Sequence, residues 1–273
     1  MCEDIATSLG PEEFVSCAEI GPGRGALTEF LVPLWGDKLS AVEIDPLMTA
    51  RIKERFPGLR IINSDFLALD LEAVYPAGPV AFIGNLPYEC STAILMKSLA
   101  FSRLGAAVFM FQREVARKIT AAAGDPDYGY LSVAVQAQSE TALLADVPAA
   151  SFSPVPKVDS SVLVFKPRPF VTGTDNIEAG ERSQAGAAAP KERDKPRGAF
   201  ASPGEREIFL DFVKNAFSHR RKTLANSLSM GRGLDKAETA NRIQAAGFDP
   251  GLRPQNLSVS DYLRLSAAFT QEK

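Results

Sequence analysis

The sequence predicts an α/β fold in which a largely parallel, doubly wound sheet carries helices on both faces and is followed by a small all-helical domain. Up to about residue 169, short apolar segments typical of buried strands alternate with segments of helical spacing. A glycine-rich turn follows the first of these strands. Beyond residue 200, aromatic and aliphatic residues recur at helical spacing alone.

The order of the predicted elements indicates where a ligand would bind. The first strand is predicted at residues 14–20, and the glycine turn leads from it into a helix over residues 26–34. The carboxyl ends of parallel strands meet at one edge of a sheet, where ligands bind. The remaining strands are predicted at residues 39–44, 60–62, 80–83, 106–111, 132–138 and 160–166.

The chain is predicted to have three regions. Residues 1–169 form the sheet domain, and residues 201–273 form the helical domain. Between them, residues 170–200 are predicted to be a flexible linker or insertion, because Gly, Ala, Pro and charged residues dominate there.

The composition indicates an intracellular globular protein. The chain has 273 residues, 45% of them hydrophobic, enough for one substantial core and a smaller domain. Cys2, Cys17 and Cys90 are odd in number and lack metal-ligand spacing, so neither a disulfide framework nor a metal site is predicted. No apolar run is long enough to span a membrane, and the acidic start is unlike a signal peptide. We expect a cytoplasmic monomer that acts away from membranes.

Glycines and carboxylates at the ends of the first three strands predict a cofactor site. Gly21 and Gly23 let a ligand approach the backbone closely, and the following helix presents its amino end to that ligand. Glu43 lies about 20 residues further on, at the tip of the second strand, where an acidic residue accepts hydrogen bonds from ribose hydroxyls. Asp65 and Phe66 follow the third strand, where a carboxylate can meet an adenine amino group.

The glycine pattern alone leaves alternatives open. Gly21, Gly23 and Ala26 also satisfy the dinucleotide fingerprint, which would suit a nicotinamide-dependent oxidoreductase. A tight strand-to-helix turn without any ligand is a second alternative. Glu19, just before the glycines, would crowd a pyrophosphate but suits a ligand that carries an ammonium or sulfonium group. That carboxylate is alternatively only a turn-stabilising group.

A four-residue loop after the strand at residues 80–83 has the most specific chemistry. The Oδ1 atom of Asn85 and the carbonyl of Leu86 can accept both N–H bonds of an exocyclic amine. Pro87 fixes the backbone, and Tyr88 offers a ring face on which a flat base can stack. A simple strand-ending turn is the alternative, since Asn and Pro are ordinary turn residues.

With these features together, the chain resembles the ribosomal RNA adenine dimethyltransferase family, class I methyltransferases that dimethylate adenine in RNA. An ordered set of motifs over most of the chain carries the resemblance. The last motif is similar to the segment that separates the small-subunit enzymes from relatives that confer macrolide resistance. The motifs lie at residues 19–23, 42–45, 65, 85–88, 111–116, 128–133, 152–160 and 217–224.

The resemblance implies a Rossmann-like enzyme that uses S-adenosylmethionine to dimethylate adenines at N6 in small-subunit ribosomal RNA, with a role in ribosome biogenesis. It implies that the sheet domain is catalytic and that the helical domain binds RNA or the small ribosomal subunit. The implied catalytic residues are Asn85, Leu86, Pro87 and Tyr88. The implied cofactor-binding residues are Glu19, Gly21, Gly23, Glu43, Asp65, Phe66 and Asn85.

Aromatic and basic residues are expected to hold the RNA. Tyr88 should stack on the target base and Phe152 should close its other side, although core packing is an alternative for Phe152. Residues 1–80 hold 6 Lys/Arg against 13 Asp/Glu, whereas residues 200–273 hold 11 against 8. A phosphate backbone needs a local basic surface, although basic clusters are often only solvated helix faces. The densest cluster is Arg220, Arg221 and Lys222, and a second is Arg113, Arg117 and Lys118.

The chain departs from the family pattern near its amino terminus. Family members carry a basic arm with a Gly-Gln-x-Phe-Leu motif that closes over the cofactor, and nothing before Gly21 matches that motif. A second function therefore stays open: a ribosome-assembly factor that retains the fold with weak or no catalysis.

Overall fold

The structure of the chain, a computed structural model, describes residues 1–152, 154–168 and 200–270. The chain divides into two compact units, which are Met1–Arg117 with Ser139–Pro167, and Lys118–Gln138 with Arg168–Lys273. The linker or insertion predicted at residues 170–200 lies outside the described residues, apart from the buried Phe200.

A seven-stranded sheet forms the centre of the first unit. The strands are β1 (Ser16–Ile20), β2 (Leu39–Glu43), β3 (Arg60–Asn63), β4 (Val80–Asn85), β5 (Leu104–Gln112), β6 (Ser139–Val147) and β7 (Ser160–Pro167). Their order across the sheet is β3-β2-β1-β4-β5-β7-β6. The first five strands pair in parallel, and β7 is antiparallel to both neighbours. The chain reverses its direction across the sheet between β1 and β4, and open α/β sheets bind ligands at such a reversal.

Helices cover both faces of this sheet, as the sequence predicts. They are α1 (Cys2–Thr7), α2 (Thr28–Trp35), α3 (Pro46–Arg55), α4 (Leu71–Val74), α5 (Ser91–Ala100) and the start of α6 (Arg113–Thr120). Ala81 and Ile83 of β4 join the core cluster that includes Leu31 of α2. Phe82 points to the opposite face, because successive strand residues alternate. There its ring stacks on Phe101, with centroids 5.6 Å apart.

The predicted strands agree with the structure except in one case. Six of the seven are present, with ends within two residues of the prediction, and the predicted first helix is α2. The strand predicted at residues 132–138 is wrong, because this segment belongs to helix α7 (Tyr130–Gln138). Residues on all sides of this helix are buried, so its apolar residues do not repeat at a spacing that distinguishes a helix from a strand. The edge strand β6, which follows directly, is missing from the prediction.

The second unit is helical in its described residues. Besides α7 it contains α8 (Pro203–Phe217), α9 (Leu224–Arg232), α10 (Lys236–Ala245) and α11 (Val259–Thr270). Side-chain oxygens of Ser202, Thr223 and Asp235 accept backbone N–H bonds at the amino ends of α8, α9 and α10. The core includes Tyr128, Phe209, Phe212, Leu228 and Tyr262. This unit includes residues 118–138, which the sequence assigns to the sheet domain, so the boundary predicted at residue 169 does not match the spatial division.

Candidate active site

Three glycines after β1 adopt backbone conformations that L side chains rarely adopt. Gly21, Gly23 and Gly25 have φ angles of +69°, +54° and +82°. A Cβ atom on Gly25 would come within 2.9 Å of Ile52 on α3, so this glycine permits helix packing. A Cβ atom on Gly23 would meet nothing within 4 Å. The turn therefore leaves open space beside its backbone at Gly23.

Glu43, the last residue of β2, faces the same turn. Its Oε2 atom accepts a hydrogen bond from the backbone N–H of Gly23 at 3.2 Å, and its Oε1 atom accepts one from Asp45 at 2.9 Å. The side chain is only 6% exposed. These bonds fix both oxygens at the strand end, and each oxygen keeps a further lone pair. The carboxylate thus has the geometry to accept ribose hydroxyls, which is its predicted role.

Glu19 is buried within β1, two residues before Gly21. Its side chain is 2% exposed, and its Oε2 atom accepts a hydrogen bond from Thr28 Oγ1 at 2.7 Å. Burial raises the pKa of this carboxyl group to about 7, and the nearby Glu43 carboxylate adds to the rise. The Thr28 bond ties β1 to the start of α2, as the turn-stabilising alternative requires. A role toward a cationic ligand stays a prediction.

Asp65 and Phe66 follow β3 and differ in environment. Asp65 is exposed, and its Oδ1 atom accepts the backbone N–H of Leu67 at 2.8 Å. Phe66 is buried, with its ring edge against Phe82 at a centroid distance of 5.5 Å. The ammonium of Lys97 donates to the carbonyl of Leu67 and helps to fix this loop. The carboxylate is therefore available to a ligand, whereas the phenyl ring belongs to the core.

The loop after β4 lies against the glycine turn. A Cβ atom on Gly84 would be 2.7 Å from the carbonyl oxygen of Ile20, so only a glycine lets the two strand ends approach this closely. A Cβ atom on Gly21 would be 4.0 Å from Cδ of Pro87, which is ordinary van der Waals contact. The structure thus brings together two motifs that lie more than 60 residues apart in the sequence.

Within this loop, each of the four predicted catalytic residues has a different environment. Asn85 is exposed at the end of β4, whereas the side chain of Leu86 is 2% exposed and anchors the loop in the core. Pro87 is exposed, and its carbonyl accepts the backbone N–H of Cys90. Tyr88 is half-buried, and its hydroxyl lies 3.1 Å from Oγ of Ser160. An exposed amide and a tyrosine held at its hydroxyl end suit the predicted capture of a base.

Sequence reasoning missed a polar group around the start of β7. Ser160 is buried and holds Tyr88, while the adjacent Asp159 binds Arg113 at the end of β5. Asp159 Oδ1 also accepts the backbone N–H of Ala149 at 3.0 Å. Asp159 and Ser160 lie in a motif that carries the family resemblance, but no local pattern indicates which distant residues they contact.

Phe152 is half-buried and packs against the core cluster on the face of α1, α2 and α3. This contact favours the core-packing alternative for at least part of the ring. Its role beside a target base stays a prediction.

The basic cluster at residues 220–222, which lies in the second unit, contains two kinds of residue. Arg220 donates from Nη2 to the carbonyl oxygens of Pro126 at 3.1 Å and Tyr128 at 2.8 Å. The side chains of Arg221 and Lys222 are exposed. Arg220 therefore has a structural function within its unit, while its two neighbours present their charges to solvent.

Two negative findings apply to the described residues only. Among them there is no group of three or more His, Cys, Asp or Glu side chains that could hold a metal ion. In the same part of the chain, no helix is long and apolar enough to cross a membrane.

The strand order, the glycine turn and the carboxylates at successive strand ends define a class I S-adenosylmethionine-dependent methyltransferase. The residues fit this cofactor. Glu43 offers oriented carboxylate oxygens for the ribose, Gly23 leaves room beside the backbone, and Asp65 is exposed at the next strand end.

Comparison with known proteins identifies the family. The family model described as ribosomal RNA adenine dimethylase matches residues 1–178, and the chain belongs to this family. It is 35% identical over 269 residues to ribosomal RNA small subunit methyltransferase A of Desulfitobacterium hafniense, covering 97% of this chain and 86% of the relative. It is 36% identical over 262 residues to the protein of that name from Geobacter metallireducens, covering 92% and 84%. The resemblance found in the sequence is confirmed.

Solved structures support the fold. A dimethyladenosine transferase from Plasmodium falciparum superposes with a TM-score of 0.69 at 22% identity, covering 97% of this chain and 93% of the other. The 23S rRNA methyltransferase ErmE gives a TM-score of 0.65 at 24% identity, covering 99% and 97%. The predicted class I sheet with a helical carboxyl-terminal region is thus confirmed.

Proposed function

We propose that this chain transfers methyl groups from S-adenosylmethionine to the N6 amine of adenines in small-subunit ribosomal RNA, giving N6,N6-dimethyladenine. The substrate assignment is supported by curated relatives named ribosomal RNA small subunit methyltransferase A, of which the chain covers more than four fifths. The structural support is the contact between the glycine turn and the loop at residues 85–88, because it puts the proposed methyl donor and acceptor sites side by side.

The chemical problem is that the adenine amine is a poor nucleophile, since its lone pair is delocalised into the ring. Asn85 Oδ1 and the Leu86 carbonyl would accept the two N–H bonds, localise the lone pair on nitrogen and direct it at the methyl group. Positioning and fixed dipoles of this kind supply a large part of a barrier reduction. The buried Leu86 side chain supports this role, because it holds the carbonyl-bearing loop in place.

S-adenosylmethionine supplies an electrophilic methyl group on its sulfonium sulfur. The amine held by Asn85 and the Leu86 carbonyl would take this methyl group, with the cofactor's thioether as leaving group, and would then pass a proton to water, so no general base would be required. One N–H remains after the first transfer, and Asn85 or the Leu86 carbonyl can hold it for the second. We assign cofactor binding to Glu19, Gly21, Gly23, Glu43, Asp65, Asn85 and the backbone at Phe66.

We further propose that Tyr88 stacks on the target base, that Phe152 covers its second face, and that the helical region grips the RNA through Arg221 and Lys222. Arg220 supports that surface rather than forming it, since its guanidinium is engaged with backbone carbonyls. We propose that the protein acts as a cytoplasmic monomer during ribosome biogenesis.

The test is methyl transfer to a defined particle. The chain would be incubated with methyl-labelled S-adenosylmethionine and unmethylated small ribosomal subunits, and the RNA digested to nucleosides. We expect label in N6,N6-dimethyladenosine and loss of label with Asn85→Ala. Subunit binding without any label would instead favour the assembly-factor function, and tighter binding of NAD than of S-adenosylmethionine would contradict the enzyme class.

A further inference from the structure

A groove in the first unit lies beside the loop that carries Tyr88, and two residues of the second basic cluster, Arg113 and Arg117, line it. It has a volume of about 330 Å³. One wall is the end of β5 with the first turns of α6, and the other is the segment that leads into β7. The lining residues are Gln112, Arg113, Glu114, Arg117, Lys157, Val158 and Asp159.

The two walls are tied together by Arg113 and Asp159. The backbone N–H of Arg113 donates to the carbonyl of Asp159 at 3.0 Å, and its Nη1 donates to Oδ2 of the same residue at 3.2 Å. Nη2 of Arg113 is also 3.6 Å from Oδ2 of Asp146. The charge of Arg113 is therefore already balanced by two carboxylates, and its bonds to Asp159 join the two walls of the groove.

Two other cations on the groove are not balanced in this way. Arg117 and Lys157 line opposite walls, and both side chains are exposed. Within the described parts of the chain, neither has an ion pair or side-chain hydrogen bond to another residue. Because both charged groups are exposed and unpaired in the described part of the chain, an anion that enters the groove can bind them without breaking protein contacts there. Val158, which is 43% exposed and also lines the groove, adds an apolar surface.

The groove is adjacent to the proposed base-binding residues. Asp159 immediately precedes Ser160, whose Oγ lies 3.1 Å from the Tyr88 hydroxyl. Ser160 is also the register partner of Gln112, another residue of the groove. An RNA strand that places one base on Tyr88 must continue from that point, and the groove offers its next phosphate two cations.

We propose that this groove binds the nucleotide next to the target adenosine, with Arg117 and Lys157 on its phosphate and Val158 against its sugar or base. The assignment rests on the proposed function, because it takes RNA as the substrate. It makes Arg117 and Lys157 substrate-positioning residues rather than parts of a general basic surface.

The test compares the wild-type chain with the double variant Arg117→Ala/Lys157→Ala on unmethylated small ribosomal subunits. Removal of even one charge-assisted hydrogen bond should raise KM for the subunit on the order of tenfold, while kcat at saturation stays nearly constant. The slope of log K for subunit binding against log salt concentration should become shallower by roughly 0.7 to 0.9 for each phosphate that the variant no longer neutralises. Affinity for S-adenosylmethionine should not change.

Two matched variants complete the experiment. Arg117→Lys/Lys157→Arg keeps both charges and should retain most of the affinity and the salt dependence. Lys53→Ala removes an exposed cation of α3 outside the groove and should leave KM, kcat, the salt dependence and the affinity for S-adenosylmethionine unchanged.

The outcomes separate this inference from the proposed function. If the wild type methylates subunits and the double variant has the same KM and salt dependence as the wild type, the groove assignment alone is overturned. A wild type that binds subunits without methylating them, and a double variant with a flatter salt dependence, would retain the groove and overturn the enzymatic function. Absence of subunit binding by the wild type would overturn both.

Discussion

The hydroxyl of Tyr88 and Oγ of Ser160 lie 3.1 Å apart, although their strands are not neighbours. Tyr88 follows β4, Ser160 begins β7, and β5 lies between them in the sheet. The bond therefore spans one strand at the carboxyl edge. It fixes the far end of the tyrosine ring, whose near end is set by the loop backbone. A ring held at both ends presents one face in a constant orientation, which is what stacking on an unstacked base requires.

The first prediction concerns this bond. Tyr88→Phe and Ser160→Ala each remove it, and each should lower kcat/KM for the ribosomal subunit. The loss of transition-state stabilisation should be about 0.5–1.5 kcal/mol, the usual net contribution of one hydrogen bond. The double variant should cost little more than either single change, because both delete the same hydrogen bond. Tyr88→Ala should cost more, since it also removes the ring. Full additivity in this cycle would show that the bond does not position the ring.

A second prediction separates binding from chemistry at Asn85. This side chain is exposed at the end of β4, so Asn85→Ala should not disturb folding. Its bonds to the amine strengthen as the lone pair localises, so the change should lower the single-turnover rate by about 10²-fold or more, the usual effect of removing one preorganised hydrogen bond. Affinity for the ribosomal subunit should remain nearly intact. An unchanged single-turnover rate would contradict the mechanism.

The parallel part of the sheet could be predicted because its strands are short apolar runs separated by turn residues. Residues 132–138 are predicted to be a further strand, but they belong to helix α7, which is buried on nearly all sides. An apolar run in such a helix shows no period that distinguishes it from a buried strand. Strand β6 has the opposite problem. It is an edge strand with exposed leucines, Leu143 and Leu144, and lacks the alternation that a half-buried strand shows.

The site could be predicted where its residues are local in sequence. Gly21, Gly23 and Glu43 each follow or end a strand, so their common edge follows from the topology. The partners of Tyr88 and Arg220 could not be found this way. Tyr88 is held by a residue 72 positions away, and Arg220 binds carbonyls 92 and 94 positions away. Such interactions depend on tertiary packing, and the residue types involved, serine and backbone carbonyls, are not distinctive in a sequence.

The third prediction concerns Glu43 and the cofactor. Glu43→Ala should weaken S-adenosylmethionine binding by about 1.5–3 kcal/mol, because it removes charge-assisted bonds to the ribose. Glu43→Gln keeps the size of the side chain, but its amide nitrogen cannot accept the N–H of Gly23 or Asp45. It should therefore also weaken binding, although it fills the same space. Calorimetry would measure both, and unchanged affinity in both variants would exclude Glu43 from the cofactor site.

The fourth prediction concerns the pH dependence of stability through Glu19. Its pKa is raised to about 7 in the folded chain, from an ordinary value of 4.5, so the folded state binds its proton more tightly than the unfolded state. The contribution of protonated Glu19 to the free energy of unfolding is complete below about pH 4.5 and is lost as the pH rises to about 7. The free energy of unfolding should change by roughly 3 kcal/mol over this interval. Glu19→Gln cannot ionise, so the difference in unfolding free energy between variant and wild type should shift in favour of the variant across this interval. Denaturant titrations at several pH values would measure it, and a constant difference would show that Glu19 does not titrate there.

The last prediction divides the basic cluster of the second unit. Arg220 donates to the carbonyls of Pro126 and Tyr128, so Arg220→Ala should lower the free energy of unfolding by on the order of 1 kcal/mol. The exposed Arg221 and Lys222 make no such bonds through their side chains within the described residues. Changing both to alanine should leave thermal stability nearly unchanged. The slope of log K for subunit binding against log salt concentration should become shallower by roughly 0.7 to 0.9 for each phosphate left without its cation. Measuring melting temperature and salt dependence on the same preparations would test both halves. If folded Arg220→Ala showed a flatter salt dependence and the double variant showed the wild-type salt dependence, the assignment would be reversed. Arg220 would then be the residue that holds RNA.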